Sequence, residues 1–285
     1  MPGTEVDPSN APQWDFVGHY VGRKSIVPDW GAVGQYAAIS SGVLPIARAV
    51  IEAAQIKKGE AVLDVGSRCG DWALLAAEAG AQVTGIDFSP SLLEAARAKL
   101  KDHPGARFEL ADVARLPFAG ASFDAVIDVM TLIFGADREA ALSEITRVLK
   151  PSGRIVWSGW SGRSAIHEAA MITAAATANI IGHEPYPYSY WGEEDDIRGL
   201  FAAQGLEIRM ATYPMVATAP SPEALIDMLN EVHPINVGCN AVLEKAGVLE
   251  EISAKVLETL NQYNEDPSAL KLSRRFAVGV ATRKA

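Results

Sequence analysis

Two aspartates and a glycine-rich turn form the segment of this sequence best suited to chemistry. Asp64 lies in an apolar run that is followed by Gly66 and Gly70, and Asp87 closes the next apolar run. Glycines after a first strand let a ligand approach the backbone, and an acid about 20 residues further on can hold both hydroxyls of a ribose. Adenosyl and dinucleotide cofactors share this pattern. The glycine spacing is not the G-x-G-x-x-G of dehydrogenases, which weakens a nicotinamide interpretation.

Further motifs follow this turn in order. They are Gly85-Ile86-Asp87-Phe88-Ser89, Leu110-Ala111-Asp112-Val113, Leu116-Pro117-Phe118, Ser122-Phe123-Asp124-Ala125-Val126 and Arg147-Val148-Leu149-Lys150-Pro151-Ser152-Gly153. With the Asp-x-Gly-x-x-x-Gly segment they resemble the class I S-adenosylmethionine (SAM)-dependent methyltransferases. The branch with the greatest similarity contains ubiquinone- and menaquinone-biosynthesis enzymes and many natural-product methyltransferases. The resemblance is firm over residues 57–160 and implies SAM as the cofactor.

The resemblance also implies roles for single residues. Asp64 orients the turn and approaches the amino group of SAM, Asp87 binds the ribose diol, and Asp112 accepts from the adenine amine. Phe88 lies beside the adenine, and Tyr36 reaches the methionine carboxylate. The implied cofactor residues are Tyr36, Asp64, Gly66, Ser67, Arg68, Gly70, Asp87, Phe88, Ala111, Asp112, Val113, Asp128 and Val129. A helix N-cap remains the alternative for Asp112, and a packing role remains the alternative for Tyr36.

Arg68 departs from the family pattern, in which a glycine stands at the middle of the turn. Three interpretations stay open. The side chain points into solvent, or it pairs with the carboxylate of SAM as a bidentate donor, or it obstructs the site. The last interpretation keeps a reaction other than methyl transfer as an alternative.

A general base is needed only where the acceptor atom carries a proton, and it is expected outside the cofactor motifs. His183 and His167 are the predicted catalytic residues because imidazole titrates near neutral pH. His233, which precedes Pro234, is a further candidate. A surface or packing role is the alternative for all three.

An aromatic, proline-containing segment follows His183 and is predicted to close over an apolar substrate. The alternative is that its rings attach this insertion to the sheet. The residues predicted to contact the substrate are Met130, Tyr186, Tyr188, Tyr190 and Trp191.

Alternating strands and helices must position these residues. Apolar runs predict strands at 61–65, 82–86, 107–110, 123–129 and 154–159, with helices at 36–54, 72–79, 138–149 and after Ser89. This alternation indicates an α/β fold with a parallel sheet covered on both faces. The resemblance implies a Rossmann-like, seven-stranded, mostly parallel sheet with a helical cap. Its last strand, near 275–282, is expected to be antiparallel.

The rest of the chain is predicted to elaborate the same sheet. A turn is predicted at 151–153, helices at 165–181, 195–204, 222–232 and 241–262, and a strand at 206–213. We divide the chain into a cap segment at 1–56, a SAM-binding core at 57–160, and cap insertions with the final strands at 161–285.

Composition excludes several classes of protein. The 285 residues are 49% apolar and carry a net charge of −10, and no run of Lys and Arg exceeds a pair. Nucleic acid is therefore not an expected partner. Two distant cysteines give neither a disulfide framework nor a zinc site. No signal peptide and no membrane span are apparent, so a cytoplasmic protein is expected. No metal is expected either.

These observations predict an enzyme that transfers a methyl group from SAM to oxygen, carbon or nitrogen of a small molecule, in secondary metabolism. One alternative is a methyltransferase-like protein that binds SAM or another ligand and catalyses a different reaction, such as a cyclisation. The other is a non-catalytic binding subunit.

Overall fold

A computed structural model describes residues 36–134, 137–182 and 191–284 of the chain. Within these ranges, seven strands form one sheet in the order β3-β2-β1-β4-β5-β7-β6. The strands are β1 Ala61–Val65, β2 Gln82–Asp87, β3 Arg107–Leu110, β4 Phe123–Asp128, β5 Leu149–Ser161, β6 Leu206–Ala219 and β7 Leu270–Arg283. The helices are α1 Tyr36–Ala54, α2 Asp71–Glu78, α3 Pro90–Lys99, α4 Arg138–Val148, α5 Ala165–Ile181, α6 Glu194–Ala203, α7 Pro222–Val232, α8 Pro234–Lys245 and α9 Leu249–Tyr263.

Strands β1 to β5 are parallel, and β7 runs antiparallel to both β5 and β6. The predicted Rossmann-like, mostly parallel sheet with an antiparallel last strand is confirmed. The strand order reverses between β1 and β4, where Val65 pairs with Asp128. On its other side, Val65 pairs with Ile86 of β2. The carboxyl ends of β1, β2 and β4 therefore meet at the point where ligands bind in open α/β sheets.

The core lies on both faces of this sheet. Consecutive residues of β1, β2 and β4 are buried, as expected for parallel strands with both faces covered. A second apolar cluster joins α5, α7, α9 and β7 through Ala165, Leu225, Leu260 and Leu272. It builds the helical cap beside the sheet. None of the helices in the described ranges combines the length and the apolar character that a membrane crossing requires.

Local signals predicted several boundaries correctly. The helix predicted at 165–181 is α5, in which Ser164 accepts the His167 N–H and Gly182 ends the helix with φ +75°. At α3, the predicted N-cap Ser89 accepts the Leu92 N–H, and Pro90 is the first helical residue. In both helices the capping residues satisfy backbone groups that the helix itself leaves without partners.

The turn predicted at 151–153 is wrong. Strand β5 already begins at Leu149, which pairs with Phe123, and the next pair joins Ala125 to Arg154. The intervening Pro-Ser-Gly segment is an irregularity inside the strand. Pairing with β4 on both sides keeps this segment in the sheet despite its turn-forming composition.

The single helix predicted at 241–262 is also wrong. The chain forms α8 and α9 instead, and Gly247 between them has φ +72°, which continues neither helix. The strand predicted at 206–213 extends to Ala219, because its whole length pairs with β7 from Leu206↔Arg283 to Ala219↔Leu270.

Candidate active site

The turn after β1 has a left-handed backbone at three of its residues. The φ angles of Gly66, Arg68 and Gly70 are +69°, +52° and +84°. A Cβ on Gly66 would lie 2.7 Å from the Thr131 Cβ, and one on Gly70 would lie 3.0 Å from the Cα of Ala96. A side chain would therefore be crowded at both positions, and the left-handed backbone also favours glycine there. Helix α2 begins directly after the turn, with Gly70 as its N-cap.

Asp87 ends β2 beside this turn. Its Oδ2 accepts the Arg68 backbone N–H at 3.0 Å, and its Oδ1 accepts the Ser89 N–H at 2.9 Å. The residue is 5% exposed, and burial raises the pKa of its carboxyl group. Each carboxylate oxygen has more than one lone pair, so the group can still accept from ribose hydroxyls.

Asp64 and Asp128 form a buried pair of acids on neighbouring strands. The Ser67 hydroxyl donates to Asp64 Oδ2 at 2.9 Å, and the N–H groups of Thr131 and Leu132 donate to Asp128 Oδ1 at 3.0 and 3.1 Å. Among the described residues, the other carboxylate oxygen of each aspartate has no hydrogen-bond partner, and neither has Thr131 Oγ1. Burial raises the pKa of both aspartates to about 7, and Arg68 opposes this shift.

Arg68 is buried rather than directed into solvent, with 7% of its surface exposed. Its Nη2 donates to the Met130 backbone oxygen at 3.1 Å, and its guanidinium lies 5.9 Å from the ring centroid of Trp72. The solvent-facing interpretation is therefore excluded. Pairing with a bound carboxylate and obstruction of the site remain.

Phe88 and Asp112 follow the neighbouring strands β2 and β3 and are both exposed. Asp112 Oδ1 accepts the Ala114 N–H at 2.9 Å, and the Arg115 N–H donates to the Asp112 backbone oxygen. This is a small turn, and no helix follows it, so the helix N-cap interpretation of Asp112 is wrong. An exposed ring and an exposed carboxylate at adjacent strand ends are available to a planar base. Ala111 and Val113 are partly buried and pack against the main core.

The turn after β4 contains the other predicted cofactor residue and one predicted substrate contact. The Val129 side chain is fully buried in the core, which leaves only its backbone available to a ligand. Met130 has φ +57°, and its N–H donates to the Ser158 hydroxyl at 3.1 Å. Because Met130 also accepts from Arg68, the turns after β1 and β4 are joined.

A cavity of about 550 Å³ opens at this junction. Arg68 and Met130 lie in its wall, and α1, α5, β6, α7, α8 and α9 supply most of the rest. The wall is largely aliphatic, with Ile133, Met215, Leu225 and others as members. Among the described residues that line the cavity, none is Asp or Glu.

Two of the candidate histidines line this cavity. His167 lies in the first turn of α5, and its pKa is lowered by burial and by Arg163. His233 lies between α7 and α8, and burial together with Arg68 lowers its pKa to about 4. Arg68 and His233 line the same cavity, so this imidazole shares the cavity with the turn after β1.

The remaining predicted contacts have different outcomes. Trp191 does not line the cavity. It is fully buried, its backbone oxygen accepts from Trp157 Nε1 at 3.1 Å, and its ring meets Phe201 edge-on at 6.1 Å. The predicted contact of Trp191 with substrate is therefore replaced by core packing against β5 and α6. The predicted residues His183, Tyr186, Tyr188 and Tyr190 lie outside the described residues, as does the side chain of Tyr36.

Comparison with known proteins places this site in a family. A family model described as "Methyltransferase domain" matches residues 62–153. The uncharacterized protein Mb1440c of Mycobacterium bovis is 31% identical over 185 residues, which are 61% of this chain and 67% of that protein. The chain belongs to the class I SAM-dependent methyltransferase family. Its matched segment covers the turn, the acid after β2 and the strand pair β1–β4.

Other matches agree with this family. Demethylmenaquinone methyltransferase of Tropheryma whipplei is 39% identical over 109 residues, 38% of this chain and 45% of that enzyme. The crystal structure of YcgJ from Bacillus subtilis superposes with a TM-score of 0.60 at 17% identity, covering 84% of this chain and 98% of that one. That likeness concerns the fold. The chain spans 65% of the length of two other mycobacterial relatives at 31% identity, slightly less than two thirds. These are the uncharacterized proteins Mb1438c of Mycobacterium bovis and Rv1403c of Mycobacterium tuberculosis.

The residues of this methyltransferase family member fit SAM. The buried oxygens of Asp64 and Asp128 that have no partner are acceptors of the kind that an ammonium group requires, and Asp87 can accept from ribose hydroxyls. The sequence motifs found these residues because they are local. Sequence reasoning missed Asn230, Asn236 and Asn240, which line the cavity beside His233. Together with His233, these asparagines are spaced three, three and four residues apart around Pro234, and this spacing was the available signal.

Proposed function

We propose that this protein transfers a methyl group from SAM to a small, largely apolar acceptor in a biosynthetic reaction. The observation that carries the proposal is that Arg68 and Met130 belong both to the turns at the cofactor site and to the cavity wall. A cavity of about 550 Å³ suits a small molecule. A relative named demethylmenaquinone methyltransferase supports a small-molecule acceptor.

Bound SAM would supply a methyl group that is carried on a positively charged sulfur. The acceptor atom would attack the carbon of this methyl group in line. The residues of this chain hold and align the reactants. Asp87 would accept from the ribose hydroxyls, Asp64 and Asp128 from the ammonium group, and the ring of Phe88 would cover the adenine. The aliphatic wall would exclude water and fix the direction of attack on the methyl group. Oxygen, carbon and nitrogen are the candidate acceptor atoms.

The cofactor half of the proposal is tested by calorimetric titration with SAM and with S-adenosylhomocysteine. We expect micromolar binding of both, and about hundredfold weaker binding after Asp87→Asn because charge-assisted hydrogen bonds to the ribose are lost. Asp102→Asn, at an exposed position outside the site, is the matched control and should bind like the wild type. A folded protein that binds neither compound would refute the proposal.

Burial of Arg68 favours one second candidate, a protein of this fold that binds SAM and catalyses a reaction without methyl transfer. The two candidates differ in one measurable product. Methyl transfer converts SAM into S-adenosylhomocysteine when an acceptor mixture is added, whereas the second candidate leaves SAM intact while the acceptor changes. Mass spectrometry of both compounds after incubation distinguishes them.

A further inference from the structure

One wall of the cavity differs from the others. Asn230, His233, Asn236 and Asn240 all line the cavity from α7, from α8 and from the junction between them. We call these four residues the polar wall. The other α7 residues that face the cavity are aliphatic or methionine, among them Leu225 and Met228. Among the described lining residues, asparagine occurs on these two helices alone, whereas the remaining Ser, Thr and His side chains are distributed over α5, β6 and α9. A few convergent polar groups in a largely apolar cavity fix the orientation of a ligand.

His233 is held rigidly in this wall. Its backbone N–H donates to the Leu229 oxygen at 2.9 Å, it ends α7, and Pro234 begins α8 directly after it. Its Nδ1 is buried and has no hydrogen-bond partner among the described residues. A buried nitrogen without a partner costs free energy unless a ligand satisfies it.

The polar wall carries no charge at neutral pH. Burial and Arg68 lower the pKa of His233 to about 4, which keeps its imidazole neutral, and the other three side chains are amides. Asn236 Nδ2 donates to Asn230 Oδ1 at 3.4 Å, so these two amides support one another. Neutral imidazole and amide groups both donate and accept hydrogen bonds.

The two arginines of the cavity are engaged by other groups. Arg68 donates to the Met130 oxygen and lies in the field of the buried Asp64 and Asp128. The Arg274 guanidinium is stacked at 4.1 Å over the Trp160 ring. Both guanidinium groups are therefore already in contact with other groups of the protein, and the absence of carboxylates among the described lining residues removes a partner for a cationic ligand.

We propose that the polar wall recognises an uncharged, mostly apolar acceptor that carries hydroxyl groups on one edge, and that His233 accepts a hydrogen bond from one of these hydroxyls. The hydroxylated edge faces α7 and α8, and the apolar body lies against the aliphatic walls. This inference deepens the proposed function by naming the class of acceptor. Binding at the polar wall is measurable without methyl transfer.

The test uses three probes with the same ring system, titrated into the whole protein with and without saturating S-adenosylhomocysteine. They are 1-naphthol, 1-methylnaphthalene as its near-isostere without a hydroxyl, and 1-naphthoate as an anion. We expect 1-naphthol to bind about tenfold more tightly than 1-methylnaphthalene, the effect of one buried hydrogen bond, and 1-naphthoate to bind more weakly than 1-naphthol.

His233→Leu should remove the preference for 1-naphthol. Thr173→Val is the matched control on α5, because Thr173 also lines this cavity but its hydroxyl donates to the Ala169 oxygen of its own helix. This control should keep the preference. If His233→Leu does not fold, the ring protons of His233 in the unmodified protein provide the readout, and 1-naphthol should shift them more than 1-methylnaphthalene does.

Equal binding of the two uncharged probes, tightest binding of 1-naphthoate, or no binding of any probe would overturn the inference. Failure of S-adenosylhomocysteine to bind would instead contradict the proposed function, while a retained preference for 1-naphthol would still support the polar wall. The two failures are therefore distinguishable in one set of titrations.

Discussion

The backbone N–H of Arg68 donates to Oδ2 of Asp87 at 3.0 Å, so the residue at the middle of the turn after β1 holds the acid at the end of β2. The side chain of the same residue reaches the Met130 oxygen and the cavity wall. Arg68 thus contacts Asp87 through its main chain and the cavity through its side chain. Substitution of the side chain leaves the first of these roles in place.

Arg68→Gly should destabilise the fold more at high pH than at low pH. Asp64 and Asp128 ionise in the folded protein only near pH 7, and above that pH they lose a nearby cation in this variant. We expect the loss in unfolding free energy to be about 1–2 kcal/mol larger at pH 8.5 than at pH 5.5. Urea denaturation at both pH values measures it. Arg68→Lys keeps the charge, so an equal pH dependence of the two variants would contradict the explanation.

Asp64→Asn should flatten the pH dependence of stability. Between pH 3.8 and about 7 the folded protein keeps a proton on Asp64 that the unfolded chain releases, so stability falls as pH rises through this window. The amide in the Asp64→Asn variant does not titrate in this window. We expect the free energy of unfolding of the wild type to decrease relative to that of the variant between pH 4 and 7. The exposed Asp102→Asn serves as the comparison, and a parallel course for wild type and Asp64→Asn would refute the assignment.

The imidazole of His233 should titrate far below the usual range. NMR titration of the histidine ring protons should give a pKa of about 4 for His233, rising toward 6.5 in Arg68→Gln because one of its two causes is removed. His167, whose pKa is lowered by burial and Arg163, should not respond to this change. As pH falls from 6.5 to 4, His233 binds a proton in the unfolded chain but not in the folded protein. The free energy of unfolding therefore declines in that window. A pKa near 6.5 in the wild type would contradict the burial of His233.

Gly66→Ala should destabilise the protein more than Gly205→Ala. Both glycines have φ +69°, but a Cβ at Gly66 meets the Thr131 side chain whereas a Cβ at Gly205 meets nothing within 4 Å. The left-handed backbone costs about 1–2 kcal/mol at either position, and crowding adds about 1–3 kcal/mol at Gly66 alone. Denaturant midpoints of the two variants measure the difference. Equal losses would show that Thr131 moves aside freely.

The sequence predicted the parts of the fold whose signals are local. Strand β1, strand β3 and helix α5 have the predicted bounds because apolar runs and the caps Ser164 and Gly182 act within a few residues. The errors arise where pairing with a strand that is distant in the sequence overrides the local signal. Pro151 stays in β5 because β4 pairs on both sides of it, and β6 runs on to Ala219 because β7 pairs along its whole length.

The same distinction between local and distant signals applies to the residues of the candidate site. Gly66, Asp87 and Asp112 belong to short motifs with fixed spacing, so the sequence identified them directly. His233 and Asn240 face the cavity because α7 packs on β6 and α8 packs against α5, α7 and α9. This packing depends on residues that are distant in the sequence. The sequence left three interpretations of Arg68 open, and the burial of its side chain excludes one of them.

The position of β7 between β5 and β6 has a consequence for the order in which the chain becomes structured during synthesis. Among the strands of the described ranges, β6 pairs with β7 alone, and residues 215–218 of β6 line the cavity. Residues 270–283 must therefore emerge from the ribosome before that wall exists, although the strands of the cofactor turn emerge more than 140 residues earlier and pair among themselves. A nascent chain therefore passes through a stage in which β1, β2 and β4 are complete while the wall of the cavity formed by β6 is absent.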